Sequence, residues 1–320
     1  TGILIANVSS FSNYTTSSNV NIISDCTELN ITGETYQLNQ SIINSTSLAC
    51  FNISANNITL DCQGNTIDGT DHVGYGVYIS RNSGNNTYIT ISNCNISDWG
   101  NSAGAGIYFY LANDVTIEDT NLTSNYRGIL SDGDYFTRLY RAQINNIYAD
   151  SNSDAGIYLE DCKSCVLSNI TTSSSSYGLF VRNSQYSIIG NITTYSNSVS
   201  GIESRWGYSD FNNYTNILSY DNKYGMFLDG SCDDNKIEDS NILNNSQIDF
   251  YPTGGTFNLT NVNGTDNKAI VYFGEAVVIE DWDNNVSEIV LNNADNSVLR
   301  NITINQVDFQ NNGITGIIFL

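Results

Sequence analysis

The sequence is short of several residue types, and each shortage excludes a class of protein. Its 320 residues include one proline, one methionine, one histidine and only 11 lysines and arginines. Because phosphate binding needs clustered cations, nucleic acid is not an expected partner. With so little histidine, general acid chemistry would depend on carboxylates, and neither a metal site nor a cofactor is predicted. No hydrophobic run approaches the roughly 18 residues that span a bilayer, so no membrane span is predicted.

The residues that build helix surfaces are also scarce, whereas β-branched and aromatic residues, asparagine and glycine are abundant. Hydrophobic residues make up 40% of the chain. They recur in short alternating blocks such as Ile89-Thr90-Ile91, and a period of two is typical of β-strands. The 33 acidic residues give a formal net charge of -22, which we attribute to the solubility of a surface protein. The composition therefore predicts an all-β chain.

One phrase repeats along the chain: a glycine followed by a hydrophobic-x-hydrophobic strand. Successive copies start 22 to 30 residues apart, at Gly76, Gly106, Gly128, Gly156, Gly178, Gly201 and Gly225. A second phrase follows most copies and places an asparagine between hydrophobic residues, as in Val166-Leu167-Ser168-Asn169-Ile170. Two or three short strands in each repeat predict a solenoid.

Isoleucine and valine dominate these repeats, and no segment has a helical pattern. This favours a right-handed parallel β-helix of about 22–24 residues per coil over a leucine-rich repeat, which needs a leucine-dense frame. The β-helix is predicted for residues 26–251, after an N-terminal strand and linker at 1–25. Residues 252–287 break the period and are predicted to form an irregular insertion, with a β-hairpin built from 269–273 and 277–279. Coils are predicted to resume at 288–320.

Seven cysteines favour an oxidising, extracellular compartment. Six of them lie at matching places in neighbouring coils or at one corner, and coils about 4.8 Å apart permit disulfides between them. The predicted pairs are Cys26 with Cys50, Cys62 with Cys94, and Cys162 with Cys165. Two free thiols are the alternative for the last pair. Cys232 is left as the odd thiol.

A resemblance to a known family rests on the segment Asn57-Ile58-Thr59-Leu60-Asp61-Cys62-Gln63-Gly64-Asn65-Thr66-Ile67-Asp68-Gly69 and the glycine-led strands after it. The segment resembles right-handed β-helix proteins of the NosD-like, carbohydrate-binding-and-sugar-hydrolase (CASH) type, which are common among secreted and surface proteins of archaea. The resemblance covers about residues 26 to 320 and implies the fold. It implies no single activity, because the family includes surface-layer proteins, adhesins, copper-site maturation factors and polysaccharide lyases. Asn65 stands where many relatives have histidine.

The best catalytic candidate in the sequence is Asp132-Gly133-Asp134 with Arg138 and Arg141 nearby. A polysaccharide lyase needs a cation beside the uronate carboxylate and a base for the α-proton. An ordinary turn beside a surface ion pair explains the same residues without catalysis, and the net charge repels acidic polysaccharides. The chain is therefore expected not to be an enzyme. Asp233-Asp234 supplies too few oxygens for calcium and is expected to form a turn.

The sequence Asn-x-Ser/Thr, the acceptor of N-linked glycans, recurs along the chain. Four copies hold one place in their coils and are expected to stack inward as a buried ladder that cannot carry glycans: Asn121, Asn169, Asn191 and Asn301. The copies expected in loops are the better acceptors: Asn7, Asn13, Asn44, Asn85, Asn213, Asn244, Asn263 and Asn285.

Both the first and the last segments of the sequence are apolar and strand-like. We expect the first strand of one copy to pair with the uncapped last strand of another by β-strand addition, a head-to-tail contact that propagates into a filament. The residues expected at this contact are Ile3, Leu4, Ile5, Ile317, Ile318, Phe319 and Leu320. A longer parent chain is the alternative.

These observations favour a structural role on the cell surface, as a glycosylated β-helix subunit of a filament, sheath or surface layer whose partners are copies of itself. The alternative is a secreted β-helix that binds carbohydrate or cleaves polysaccharide as a lyase or hydrolase. Metal-cofactor maturation by analogy with NosD is disfavoured, because histidine and methionine are too few. A groove with convergent carboxylates and a lysine or arginine would favour the alternative, whereas glycans around the girth would block such a groove.

Overall fold

The computed structural model describes residues 20–71, 73–79, 87–100, 102–133, 139–205, 207–304 and 317–319. Apart from one 3₁₀ turn at Thr265–Asn267, the regular elements in these residues are β-strands. Nowhere in these ranges does a helix have the length and apolar character to span a membrane. The strands are β1 (Val20–Ile23), β2 (Thr27–Leu29), β3 (Thr35–Leu38), β4 (Ala49–Ile53), β5 (Thr59–Asp61), β6 (Thr66–Asp68), β7 (Gly74–Ile79), β8 (Thr87–Ser92), β9 (Asn95–Ser97), β10 (Gly104–Tyr110), β11 (Asn113–Thr123), β12 (Arg127–Asp132), β13 (Leu139–Tyr140), β14 (Gln143–Asp150), β15 (Ala155–Glu160), β16 (Cys162–Lys163), β17 (Val166–Ser173), β18 (Tyr177–Arg182), β19 (Ile188–Tyr195), β20 (Ser200–Ser204), β21 (Asn213–Tyr220), β22 (Tyr224–Leu228), β23 (Asn235–Leu243), β24 (Ile248–Pro252), β25 (Phe257–Gly264), β26 (Lys268–Phe273), β27 (Val278–Glu280), β28 (Val286–Leu291), β29 (Val298–Arg300) and β30 (Ile317–Phe319).

Most of these strands belong to two large sheets that enclose one hydrophobic core. The long sheet has 16 strands and runs from β1 to β30, and the short sheet has ten and runs from β2 to β24. Within each sheet a strand pairs in parallel with its counterpart in the next coil, as β17 does with β19 and β18 with β20. The predicted right-handed parallel β-helix is confirmed.

The longer strands of the long sheet bend at one residue that has a positive φ. In successive coils this corner residue is Asp119, Asn146, Asn169, Asn191, Asn216, Asp239 or Asn261, with φ between 48° and 55°. Asparagine and aspartate adopt left-handed backbone more readily than other residues with a side chain. This preference explains why an asparagine recurs in the second repeat phrase.

The buried asparagine ladder lies at other positions than those predicted. Asn121, Asn169, Asn191 and Asn301 are exposed. At Asn169 and Asn191 the bend at the corner turns the asparagine outward while the isoleucine after it packs inward, as Ile170 does, and Asn121 lies two residues past the corner residue of its coil, Asp119. One ladder of buried residues that are hydrogen-bonded from coil to coil consists of Asn125, Asn152, Asn197, Asn222 and Asn245, with Ser175 between the second and third. The argument that burial bars glycans from the four predicted positions is therefore wrong.

The glycine of the repeat phrase lies against this ladder. A Cβ atom on Gly201 would come within 2.8 Å of Asn222 Nδ2, and one on Gly225 within 2.5 Å of Asn245 Nδ2. Only glycine, which has no Cβ atom, permits such an approach. The repeated glycine therefore occurs where the backbone of the short sheet packs against the buried asparagine ladder.

The structure also locates the irregular region differently from the sequence. β26 pairs antiparallel with β25 and parallel with β28, whereas β27 pairs with β29. The reversal of direction thus lies between β25 and β26, and the predicted hairpin of 269–273 with 277–279 does not form. At the other end, β1 already pairs with β3, so the solenoid includes residues that were assigned to a linker.

The cysteines are joined in the predicted pairs. The Cα atoms are 4.4 Å apart for Cys26 and Cys50, 4.9 Å for Cys62 and Cys94, and 6.1 Å for Cys162 and Cys165. Cys232 is a free, buried thiol. The first two bridges link neighbouring coils at the start of the solenoid.

Candidate functional site

The outer face of the short sheet carries a row of mostly aromatic side chains, one from each of eight neighbouring coils. This aromatic row consists, in register, of Tyr78, Tyr108, Leu130, Tyr158, Phe180, Glu203, Phe227 and Tyr251. Adjacent rings contact each other, with centroids 5.4 Å apart for Tyr78 and Tyr108 and 4.6 Å apart for Tyr158 and Phe180. Because coils repeat about every 4.8 Å, the row runs along the solenoid axis.

A row of charged side chains lies beside its central part, two residues further along the chain in five successive coils. This charged row consists of Asp132, Glu160, Arg182, Arg205 and Asp229. Strand residues two apart point to the same face, so both rows lie on the outside of the short sheet.

Carboxylates hold the arginines of this face in place. Arg182 Nη1 lies 2.8 Å from Glu160 Oε1, and Arg205 Nε lies 2.5 Å from Glu203 Oε1. The Arg205 guanidinium also lies over the Phe180 ring, 5.8 Å from its centroid. These contacts fix the arginines on the aromatic row.

A cleft of about 300 Å³ opens where β15 and β18 end. Its lining includes Glu160, Asp161, Arg182, Asn183 and Tyr208. Asp132 lies at its edge, where its Oδ2 accepts a hydrogen bond from the Tyr108 hydroxyl at 3.1 Å. One carboxylate oxygen from each of Asp132, Glu160 and Asp161 lies within 4.8 Å of the others. The cleft thus brings three acids and one arginine together.

Partial burial changes the pKa of two of these acids. Desolvation raises the pKa of Glu160 and outweighs the opposing effect of Arg182. The pKa of Asp132 is also raised, mainly by desolvation, although the hydrogen bond from Tyr108 lowers it. A carboxyl with a raised pKa can keep a proton for general acid catalysis.

The sequence identified this cleft only in part. Asp132 lies at its edge, whereas Arg141 lies at another corner and pairs with Asp114, its Nε 2.7 Å from Asp114 Oδ1. Asp134 and Arg138 lie outside the described residues. The sequence analysis missed Glu160 and Arg182, although each of them, like Asp132, stands four residues after a repeat glycine. Alignment of the repeats at that position would have revealed the charged row.

Two acidic groups are candidates for a metal ion. Asp132, Glu160 and Asp161 offer three oxygens, whereas calcium takes six to eight. Asp233 and Asp234 lie between the turn at Gly230–Ser231 and β23, and Asp233 Oδ1 accepts a hydrogen bond from the backbone N–H of Thr256 at 3.1 Å. Neither donor set by itself fits calcium.

The predicted glycan acceptors and assembly residues stay predictions. Asn44, Asn244 and Asn285 are exposed, Asn213 and Asn263 are half-buried, and Asn7, Asn13 and Asn85 lie outside the described residues. Of the assembly residues, Ile317 and Ile318 are half-buried in β30, and Phe319 ends that strand. Ile3, Leu4, Ile5 and Leu320 lie outside the described residues.

Comparison with known proteins identifies the family to which this fold belongs. Residues 75–294 match a family model described as a right handed beta helix region. No curated protein sequence matches the chain. Solved structures that superpose on it with TM-scores above 0.5 include the three described next.

The first of these three is the Dettilon tailspike protein gp208, with a TM-score of 0.53 and 15% identity, covering 88% of this chain and 60% of that one. The A-module of the Azotobacter vinelandii mannuronan C-5 epimerase AlgE6 has a TM-score of 0.52 and 15% identity, covering 94% of this chain and 80% of that one. A DFA-IIIase from Arthrobacter chlorophenolicus A6, in complex with DFA-III, has a TM-score of 0.51 and 10% identity, covering 87% and 81%. The chain therefore spans less than two thirds of the tailspike chain, and at these identities the likeness concerns the fold.

The comparison corrects one expectation. Two of these three structures are enzymes, so composition cannot exclude catalysis for a chain of this fold. The expectation that the chain is not an enzyme was therefore wrong, because the composition on which it was based does not exclude an enzyme. Each turn of the sequence has too few carboxylates for catalysis when it is considered alone. The solenoid, however, brings carboxylates from neighbouring coils together, as it does for Asp132 and Glu160.

Proposed function

The chain belongs to the right-handed β-helix family, and from this premise we propose that it binds a polysaccharide along the outer face of the short sheet and acts on it at the acidic cleft. One observation supports the proposal above all: the aromatic row and the charged row run side by side along the solenoid axis. In five of the eight coils a charged group stands beside the residue of the aromatic row. Tyr78, Tyr108, Phe227 and Tyr251 are half-buried and offer part of their rings, whereas Leu130, Tyr158, Phe180 and Glu203 are buried. Sugar rings need this combination of rings and charged groups, because they have apolar faces and hydroxyl edges.

The spacing of the coils supports this proposal. One coil follows another about every 4.8 Å, a distance comparable to the rise of one residue in an extended polysaccharide. A polymer parallel to the axis would therefore meet an equivalent position at each sugar. Repeated weak contacts of this kind add up along the chain.

At the cleft, Glu160 is the candidate general acid and Arg182 the group that orients it. Desolvation raises the pKa of Glu160, so this carboxyl takes up a proton more readily than an exposed glutamate does, and the Arg182 guanidinium, 2.8 Å from its Oε1, holds the side chain in position. Asp132, held by the Tyr108 hydroxyl, is the candidate base or nucleophile. Paired carboxyl groups of this type carry out glycosidic chemistry in many folds.

The three disulfides favour secretion into an oxidising compartment, and we propose an extracellular or cell-surface location. Assembly into a filament stays a prediction from the sequence. It is compatible with polysaccharide binding, because Ile317 and Ile318, two of the residues predicted at the subunit contact, lie in the long sheet and not in the short sheet that carries the two rows.

Binding is tested by isothermal titration against a panel of oligosaccharides, with wild-type protein and Tyr108→Ala. The substitution should weaken binding about tenfold, because it removes a ring from the row and the hydrogen bond to Asp132. Tyr195→Ala is the matched control, since Tyr195 stacks on Tyr220 in the long sheet with centroids 5.3 Å apart. Equal losses in the two variants, or no binding by the wild type, would contradict the proposal.

A further inference from the structure

A third row of side chains on the outer face of the short sheet alternates between large and small residues. It lies three residues before the aromatic row in the strands of this sheet from β7 to β22. The large members are half-buried: Tyr75, Arg127, Tyr177 and Tyr224. The small members, which lie between them in register, are buried: Ala105, Ala155 and Ser200. This alternating row therefore presents a large side chain in every second coil.

At both ends of the alternating row the large members extend the rings of the aromatic row. The Tyr75 ring centroid lies 4.9 Å from that of Tyr108, and the Tyr224 ring centroid lies 5.6 Å from that of Tyr251. In each case the partner belongs to the next coil, so one tyrosine bridges two coils. Because all four rings are half-buried, part of each is open to a ligand.

In the middle of the face the large members lie over buried rings. The Arg127 guanidinium lies 4.2 Å from the centroid of the Tyr158 ring, and Asp154 Oδ2, 2.6 Å from Arg127 Nε, fixes it there. The Tyr177 ring centroid lies 5.1 Å from that of Phe180. The two buried rings pack with the alanines of the alternating row in a hydrophobic cluster separate from the main core. A ligand therefore meets Arg127 and Tyr177 before it meets these rings.

The period of the alternating row is two coils, or about 9.6 Å along the solenoid axis. In a flat ribbon of sugars, such as a β-1,4-linked polymer, consecutive sugars turn opposite faces to one side, so the same face returns at every second sugar. With one sugar on each coil, the same face would meet each large side chain, and the sugar between would lie over a small one. A polymer that winds as a helix turns successive sugars around its axis and loses this match.

We infer that the polysaccharide bound on this face is a flat ribbon of the β-1,4-linked type, in which alternate sugars contact Tyr75, Arg127, Tyr177 and Tyr224. This inference rests on the proposed function and names its class of ligand. The apolar faces of sugars pack on tyrosine rings, and a guanidinium donates hydrogen bonds to hydroxyl groups. Alternate sugars along the polymer thus contribute most of the binding energy.

The dependence of affinity on ligand length tests this inference. A ligand with an odd number of sugars can begin and end on a large side chain, so each step from an even to an odd length adds one such contact. Isothermal titration with cello- and manno-oligosaccharides should show a gain of about fivefold from two to three sugars and again from four to five, with little gain at the steps between. Malto- and laminari-oligosaccharides, whose α-1,4 and β-1,3 linkages produce helices, should bind about tenfold more weakly at five sugars.

Three outcomes of this titration are decisive against the inference. Equal gains at every step, or helical ligands that bind as tightly as the ribbons, would overturn it and leave the proposed function standing. Failure of every ligand to bind would overturn both.

Tyr177→Ala tests one large side chain by itself. Tyr177 lies in both stretches of five coils that begin and end on a large member, from Tyr75 to Tyr177 and from Arg127 to Tyr224. The variant should therefore lose the gain from four to five sugars and keep the gain from two to three, which Tyr75 and Arg127 still provide. Thermal melts establish that it folds.

Two further variants separate the ring from its surroundings. Tyr177→Phe keeps the ring but removes the hydroxyl that accepts a hydrogen bond from Arg205 Nη2 at 3.0 Å, and it should show both gains. Tyr220→Ala, the matched control, removes a ring of the long sheet that stacks on Tyr195. A folded Tyr177→Ala that retains the gain from four to five sugars would overturn the inference, as would loss of that gain in Tyr177→Phe or in the control.

Discussion

Asparagine serves two different purposes in this solenoid, and the backbone conformation decides which. Asn216 occupies a corner at a φ of 53° and is exposed, whereas Asn222, six residues later, is 1% exposed. Asn222 Oδ1 accepts hydrogen bonds from the backbone N–H and the side-chain amide of Asn197, both at 2.9 Å. The first residue makes the bend, and the second satisfies buried backbone and amide groups between coils.

Loss of the buried amide should therefore cost more stability than loss of the exposed one. Asn222→Ala leaves the donors of Asn197 and the carbonyl of Thr194 without their partner, and we expect it to lower the free energy of unfolding by roughly 3 kcal/mol. Asn216→Ala, the matched control, should cost about 1 kcal/mol, mainly through the left-handed backbone. Chemical denaturation followed by circular dichroism measures both. A smaller loss for Asn222→Ala than for the control would contradict the assigned roles.

The sequence predicts the solenoid but not which asparagine is buried. The repeated glycines and asparagines can be recognised from the sequence alone. The glycine is needed where the backbone packs closely, and the asparagine is favoured where the backbone is left-handed. The direction of a side chain at Asn169 depends on the sign of φ at that residue, which the residue type permits but does not require. Asp132 was found because it lies in a recognisable turn sequence, whereas Glu160 joins it only through strand register.

At the scale of elements, the last strand of the short sheet is held by a buried acid. The carboxylate of Glu288 in β28 accepts hydrogen bonds from the backbone N–H groups of Asp249 at 2.9 Å and Phe250 at 3.0 Å in β24. Asp249 itself accepts two from Thr265, one of them from its backbone N–H at 2.7 Å. Two acids thus join the end of the short sheet to the coils that follow.

This junction should make stability depend on pH. Burial and the neighbouring Asp249 raise the pKa of Glu288 from 4.5 to about 8. Because the raised pKa belongs to the folded state, the stabilisation is complete below the unfolded pKa and is lost as the pH rises through about 8. We expect the free energy of unfolding to fall between pH 5 and pH 9 by on the order of a few kcal/mol from this group.

Glu288→Gln isolates that contribution, because glutamine cannot ionise. The variant should be less stable than wild type at pH 5, having lost one acceptor, but should lose less stability between pH 5 and pH 9. Glu275→Gln, at an exposed position, is the control and should follow the wild-type pH profile. Parallel profiles for wild type and Glu288→Gln would rule out ionisation of this residue as the cause.

At the scale of the whole molecule, the glycan acceptor sequences avoid the proposed binding face. Among the ten strands of the short sheet, Asn-x-Ser/Thr occurs only at Asn52 in β4. The eight short-sheet strands that carry the aromatic row have none: β7, β10, β12, β15, β18, β20, β22 and β24. The exposed corners of the long sheet carry several, including Asn169 and Asn191. Glycans on the acceptor asparagines of the long sheet would thus leave the face formed by these short-sheet strands open.

Glycosylation should therefore leave polysaccharide binding unchanged. In protein from a host that attaches N-linked glycans, their enzymatic removal should change the Kd for the oligosaccharide less than about twofold, a difference below 1 kcal/mol. Tyr78→Asn supplies a sharp contrast, because with Ile79 and Ser80 it creates an acceptor sequence inside the aromatic row. Its glycosylated form should lose binding and regain part of it after glycan removal, whereas Tyr78→Gln, which removes the same ring, should not respond to that treatment. A wild-type protein that binds much more tightly after removal would show that its own glycans cover the face, and would favour the scaffold role over polysaccharide binding.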